Sequence, residues 1–396
     1  MAARVPAGVR NLLFAQIASQ MGDAAFGVLL LWAVLTMTDS KSVVGGVAAL
    51  NYLPVLLFGM AGGVVADRLP RRGIMVASDG VRGVIALCLP LLALWGVLSP
   101  WLLAAAGFAL FTASAFFNPA RDACIPSLVE PGELVRANAI IQISIPMGWL
   151  FGPALCSLFL RWVRPVDLFA GVGLLFLASV CFLLRLPLLP AVPSGRQTAG
   201  RAMAEGLGAA WADGRLRWLL IITAADNLLI MGPAIVGTPL FVKTVLHRGG
   251  GVYALMEALL AVGVLLGLPV TAWLNRRVGQ GRLLIGGIFL DGITYLPLLW
   301  LKSPWATGLA VALHGFAIPL ITVTRSSLVQ RIAPAAQLGR IFALINITVI
   351  GLTAVSSGAT GLAATAVPVN VIFGAIAVLA ALCGPAAWLS REFRRA

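Results

Sequence analysis

Apolar runs of about twenty residues, repeated along the whole chain, set the strongest limit on what this sequence can become. A run of that length crosses the hydrocarbon of a bilayer as a helix, where every backbone polar group must be satisfied within the segment. Twelve are found, at roughly 10–36, 43–66, 74–98, 101–119, 137–160, 166–189, 217–241, 252–274, 283–301, 305–324, 341–363 and 367–389. In 396 residues, 60% of them hydrophobic, these runs leave room only for short connections. A mean hydropathy of +0.99 matches no water-soluble surface. Frequent internal Gly and Pro suit membrane helices better than strands. The chain is predicted to be all-α, a polytopic membrane protein of twelve transmembrane helices.

Charge then orients the spans. With the N-terminus placed in the cytoplasm, 22 of the 28 Lys and Arg fall in cytoplasmic loops or nearby helix ends. The outer side receives only Lys41, Arg161, Arg164, Lys243, Arg248 and Lys302. This positive-inside bias predicts a multi-pass protein of the inner (plasma) membrane with both termini cytoplasmic. It also accounts for the net charge of +14 without a nucleic-acid partner. Ten of the eleven Trp stand near span ends, as an interfacial belt requires. The five cysteines suggest neither a disulfide framework nor a metal site. The N-terminal region has no small-residue cleavage site after a short apolar core, so the first span is expected to be retained.

The longest polar stretch, 191–215, divides the spans six and six and reads as a Pro/Gly/Ser-containing linker with a short surface helix near 202–212. The expected organisation is a six-helix bundle over 1–190, a cytoplasmic linker over 191–215 and a second bundle over 216–396. The halves resemble each other at an offset of 204 residues. That offset takes Arg121 to Arg325, Leu134 to Leu338, Arg136 to Arg340, Ala139 to Ala343 and Gln142 to Asn346. Two like-oriented, pseudo-symmetric bundles with a pathway between them are a transporter design.

Between the second and third runs stands GGVVADRLPRRG, residues 62–73, a knot of charge in a chain where 11% of residues are charged. Gly63, Asp67, Arg68, Arg71 and Arg72 reproduce the spacing of a signature loop of the major facilitator superfamily, which the chain resembles along its whole length. Pro70 stands where the family usually has a second Gly, which stiffens the turn. Residues 117–139, FNPARDACIPSLVEPGELVRANA, further resemble the branch containing macrolide and siderophore (enterobactin-type) exporters. The resemblance implies alternating access and a monomer. It also implies a cytoplasmic gate in which Asp67 caps the eleventh helix near Gly339–Arg340. Arg68, Arg71, Arg72, Arg136 and Arg340 would then pair across the bundles. In the fifth run, GWLFGPALCS keeps Gly148, Gly152 and Pro153 of the family's antiporter pattern but ends in Cys156-Ser157. Residues this small, four apart, let helices approach closely.

Ionisable side chains inside the spans each need a reason, since one at mid-bilayer costs about 2.5–3.5 kcal/mol on insertion scales. Asp23 lies about 20 Å along the first helix from Arg10, with Gln20 and Gln16 about one and two turns below it as a polar stripe. Asp226 and Asn227 stand at the corresponding depth of the seventh. Both helices line the central cavity in the family, so Asp23 is the leading candidate for proton coupling, ahead of Asp226, Glu257 and His314. Asp291, in an outer helix, and Asp79 with Arg82, a one-turn pair, read as structural. The expected function is proton-coupled efflux of a small, partly apolar drug, siderophore or metabolite. The alternative is an uncoupled facilitator or a lipid- or lysolipid-moving relative. No cofactor beyond the proton gradient is expected, and no nucleotide-binding loop or hydrolase motif is found. The partners implied are a small molecule and the lipid bilayer.

Overall fold

The computed structural model describes residues 6–188, 207–208, 210–334 and 337–387. Residues 191–206 and 209 of the expected linker lie outside them. Among the described residues the twelve runs appear as fourteen α-helices. The first seven are α1 (Ala7–Thr38), α2 (Lys41–Arg68), α3 (Arg71–Leu94), α4 (Pro100–Cys124), α5 (Leu134–Gln142), α6 (Ser144–Phe159) and α7 (Phe169–Leu183). The others are α8 (Gly214–Gly232), α9 (Thr238–Thr244), α10 (Gly250–Leu274), α11 (Gln280–Ile293), α12 (Pro304–Ile332), α13 (Leu338–Ala366) and α14 (Val369–Ala387). No strand occurs among the described residues. Among the described residues, ten segments are long and apolar enough to cross a membrane, and the sixth and twelfth runs hold shorter apolar helices, Phe169–Leu183 and Val369–Cys383.

The fifth and seventh runs are interrupted at prolines. The fifth breaks between α5 and α6 because the ring of Pro146 meets the carbonyl four residues back, at Gln142. The freed turn is repaired locally, where the Ser144 hydroxyl donates to the Ile141 carbonyl at 2.6 Å. The seventh passes through a π-helical turn at Pro233–Gly237 before resuming as α9. Such wide turns relieve a proline's missing donor and clash. There the Gly232 N–H leaves its own helix and donates to the Ser356 hydroxyl of α13 at 2.7 Å. Helix α8 opens with Asp213 as its cap, accepting from the Arg215 N–H at 2.8 Å. The hydrogen bond from the Arg215 side chain holds the Asp213 carboxyl below its ordinary value. This cap is therefore intact above the unfolded carboxyl's range and is lost as pH falls through the lower folded value.

The chain divides into two compact units, Met1–Asp39 with Leu50–Gly195, and Ser40–Ala49 with Arg196–Ala396. In the first unit, α1 packs on α6, α7 and α4, and α3 on α4 and α7. In the second, α10 packs on α12, α8 on α13, and α11 on α12 and α14. The opening turns of α2 belong to the second unit for two reasons. Lys41 Nζ donates to the Ala364 carbonyl at 2.8 Å, a cation on the negative end of α13. Gly45 lies so close to Gly361 that a Cβ on either would fall 2.6 Å from the other's Cα.

Candidate functional site

In the first unit the geometry converges on Arg82. Its guanidinium, on α3, is 1% exposed and is bonded on both arms. Nη1 donates to Asp23 Oδ1 of α1 at 2.7 Å, and Nη2 donates to the Ser19 hydroxyl at 2.9 Å and to Asp79 Oδ1. Ser19 in turn donates to Asp79 Oδ1 at 3.3 Å. The guanidinium plane is flanked by Phe176 of α7, with its centroid at 4.5 Å, and by Phe117 of α4 at 5.2 Å. Aromatic faces attract a cation and shut out water, so the charges act at low dielectric. Asp79 is fully buried while Asp23 keeps 19% of its side chain exposed, so Asp23 is the acid of the pair that solvent reaches.

Asp23 is the partly exposed acid of this cluster, with a fixed cation against it. Asp79 and Arg82, read from sequence as a one-turn structural pair, are part of the same site. The sequence count places Arg82 among the cytoplasmic cations; it is instead a buried residue three turns into α3. The polar stripe on α1 also differs from the expected one. Gln16 and Ser19 are buried with Asp23 beside them, at spacings of three and four, whereas Gln20 turns toward α6. Both amide atoms of Gln16 are buried without a hydrogen-bond partner among the described residues.

The antiporter-like glycines explain why α1 is held at this register. A Cβ on Gly148 would land on Gln20, and one on Gly152 would lie 2.6 Å from the Met21 carbonyl and 3.1 Å from the Ala25 nitrogen. Backbone therefore meets backbone on both sides of Asp23. Pro153 is buried in the same contact face. Gly152→Val is expected to wedge α6 from α1 and destabilise the protein by about 1–3 kcal/mol. Thermal unfolding of the purified variant reads this directly; an unchanged midpoint would mean that α1 and α6 are not held by this contact.

Two arginines of the charge knot bond to helix ends within the first unit. Arg71 Nη1 donates to the Ala123 carbonyl at 2.6 Å and to the Ser127 hydroxyl at 3.2 Å, at the C-terminal end of α4. Arg72 Nη1 donates to the Leu186 carbonyl, just past α7, at 2.8 Å. Both tie the helix ends of their own unit, where cations complement helix C-termini. Gly63 has open space where a side chain would stand. Asp67 and Arg68 close α2, Arg136 is exposed on α5, and Arg340 lies in the first turn of α13.

In the second unit the candidates gather around His314 of α12. Asp291 Oδ1 of α11 lies 3.1 Å from His314 Nδ1, and the Thr294 hydroxyl lies 3.4 Å from the same nitrogen. Tyr295 stacks on the imidazole with centroids 4.2 Å apart and on Phe373 of α14 at 5.1 Å. Asp226 of α8 is buried with Oδ1 unpartnered and within the electrostatic reach of Asp291 and of Arg325. Asn227 is satisfied within α8 by donating to the Thr223 carbonyl at 2.8 Å. Glu257 of α10 is half-buried and, with Asp226 and Asp291, acts electrostatically on Tyr295. Asp291, set aside from sequence as structural, is the residue that joins these groups. A carboxylate inside a span was the available signal.

Comparison with known proteins agrees with this architecture. Residues 12–358 match the family model of the Major Facilitator Superfamily. Macrolide efflux protein A of Streptococcus pyogenes is 24% identical over 338 residues, 83% of this chain and 82% of the relative. Enterobactin exporter EntS of Citrobacter koseri is 26% identical over 357 residues, 84% of this chain and 79% of the relative. Among solved structures, a mutant form of the nucleoside transporter NupG superposes with a TM-score of 0.79 at 12% identity, covering 96% of this chain and 99% of that one.

Proposed function

The chain belongs to the Major Facilitator Superfamily, and from that premise we propose that it exports a small, partly apolar compound by alternating access, driven by protons. It is a multi-pass membrane transporter and not an enzyme. The relatives named for macrolide efflux and for enterobactin export support an efflux direction and a drug, siderophore or metabolite as cargo. The arginine distribution supports an inner-membrane setting with cytoplasmic termini.

One observation carries the coupling: two carboxylates, Asp23 and Asp79, share one guanidinium inside a span. With both acids ionised the cluster holds one uncompensated negative charge, which is expensive in a low-dielectric interior. One proton brings it to neutrality. Asp23 is the acid that solvent reaches, so a proton arriving from the pathway is taken there. Its arrival weakens the bond to Arg82, and an equilibrium between two conformations shifts when protonation favours one of them.

The test is accumulation in a bacterial host stripped of its own efflux pumps, using a labelled macrolide, a catecholate siderophore and a lipophilic dye. Expression of the protein is expected to lower accumulation of at least one several-fold, and a protonophore to restore it. Folded protein in the membrane with the whole panel unchanged would overturn the reading. Export that persists under protonophore would leave an uncoupled carrier.

A further inference from the structure

The two units can be set in register by their buried positions. A shift of 204 residues takes Leu12, Ala15, Gln16, Ala18, Ser19 and Phe26 of α1 onto Leu216, Leu219, Leu220, Ile222, Thr223 and Ile230 of α8, all buried. The same shift takes Leu103, Ala104, Gly107, Leu110, Phe117 and Cys124 of α4 onto Thr307, Gly308, Val311, His314, Ile321 and Leu328 of α12, again all buried. The third helices need 209 instead, because the connection ahead of α11 is longer. That shift takes Ile74, Met75, Ser78, Asp79, Arg82 and Gly83 of α3 onto Leu283, Leu284, Gly287, Ile288, Asp291 and Gly292 of α11, buried on both sides.

An independent contact supports the register. A Cβ on Gly83 would meet Gly173 and Leu177 of α7, and one on Gly292 would meet Ala380 and Ala381 of α14. Leu177 and Ala381 are 204 apart, as are Phe169 and Phe373, both fully buried.

Three chemical exchanges follow from this register. Asp291 stands where Arg82 stands, an acid in place of the cation. Asn227 stands where Asp23 stands, an amide in place of the acid. Gly22, over which the Phe176 ring lies 3.0 Å from a would-be Cβ, corresponds to Asp226, and Phe176 corresponds to Ala380. The second unit thus opens room for a buried carboxylate at the place where the first unit has an aromatic ring. At Leu110's place it adds His314, which reaches Asp291 at 3.1 Å.

We propose that Asp291 and His314, with Asp226 beside them, form a proton-binding site of the second unit, in which bound protons do the work that the Arg82 guanidinium does in the first. The charge count requires some such cation. The ionisable groups facing the site from the packed elements are Asp226 of α8, Glu257 of α10, Asp291 of α11, Tyr295 just past its end, Arg325 of α12 and Cys383 of α14. Three carboxylates therefore face one permanent cation, and His314 is the group that can supply a second. The Nδ1 of His314 lies 3.1 Å from Asp291 Oδ1, which has no hydrogen-bond partner among the described residues, and 3.4 Å from the Thr294 hydroxyl, whose own proton is donated to the Asp291 carbonyl at 2.7 Å. Protonation of His314 completes an ion pair with Asp291, and loss of the proton leaves two acids facing each other. This extends the proton-coupled reading above to a second site, one in each repeat, and its test involves no transport.

The sequence has two histidines, His247 and His314, so His247→Gln leaves one imidazole to observe. Full-length His247→Gln protein, labelled with ¹⁵N-histidine and placed in nanodiscs, is followed by nitrogen NMR from pH 5 to 9. The ring is expected to pass between its neutral and doubly protonated patterns within that range. Adding Asp291→Asn is expected to move the midpoint at least tenfold in proton concentration. A ring fixed in one state throughout, or a midpoint that moves less than tenfold, would overturn the proposal. Should Asp291→Asn fail to fold, Asp226→Asn is read by the same tenfold criterion. Failure of the efflux test with a titrating His314 would remove the export reading and leave this site standing.

Discussion

Arg82→Met is expected to destabilise the protein by about 3–5 kcal/mol, because it strands Asp23 and Asp79 in a dry interior without their cation. The aromatic faces of Phe117 and Phe176 would accept the methionine, so the loss comes from charge rather than shape. Thermal or denaturant unfolding in detergent measures it. The triple variant Arg82→Met with Asp23→Asn and Asp79→Leu should recover most of the loss, since apolar replacement of a whole buried ion cluster is often close to neutral. Recovery of stability without recovery of gradient-driven flux would show that the cluster is kept for transport. If Arg82→Met alone unfolds at the parent's midpoint, the buried pairing is not what it carries.

Asp23→Asn should abolish the response of transport to an imposed pH gradient while sparing the fold. The amide still accepts a hydrogen bond from Arg82, and Asp79 still balances the guanidinium, so the cluster becomes permanently neutral. A site that cannot change charge cannot bias two conformations by protonation. Flux is measured in proteoliposomes with and without the gradient, using whichever compound the accumulation panel identifies. A gradient response equal to the parent's would take the coupling out of the first unit and leave it to Asp291 and His314.

The apolar, helical spans could be read from sequence because hydrophobic length is a local quantity. Asp23 could be read too, since an acid far from either end of an apolar run is costly wherever it packs. Its partner could not. Arg82 meets Asp23 only because α7 sets α1 and α3 at a distance that a guanidinium spans, and no local pattern encodes that distance. Gln20 falls out of the stripe for a related reason. Helical spacing alone allows position 20 as readily as 19, and only the glycines of α6 turn Gln20 away. Asp291 reads as structural because the resemblance places its helix on the outside, and its equivalence with Arg82 emerges only when the burial of α3 and α11 is compared. Arg71 and Arg72 were legible as cations but not as clamps, since the carbonyls they hold lie 52 and 114 residues further along the chain.

The exchange of Gly22 and Phe176 for Asp226 and Ala380 also limits the route by which the two repeats diverged from a common ancestor. A lineage carrying a side chain at the first position and the ring at the second would have had two groups competing for one volume, with the ring 3.0 Å from the new Cβ. A lineage passing through glycine and alanine together would have carried a void, costing about 3–5 kcal/mol for a lost Phe but leaving the backbone in place. Whichever repeat keeps the older form, a path through the empty intermediate avoids the clash, so the space stands open before the newer group fills it.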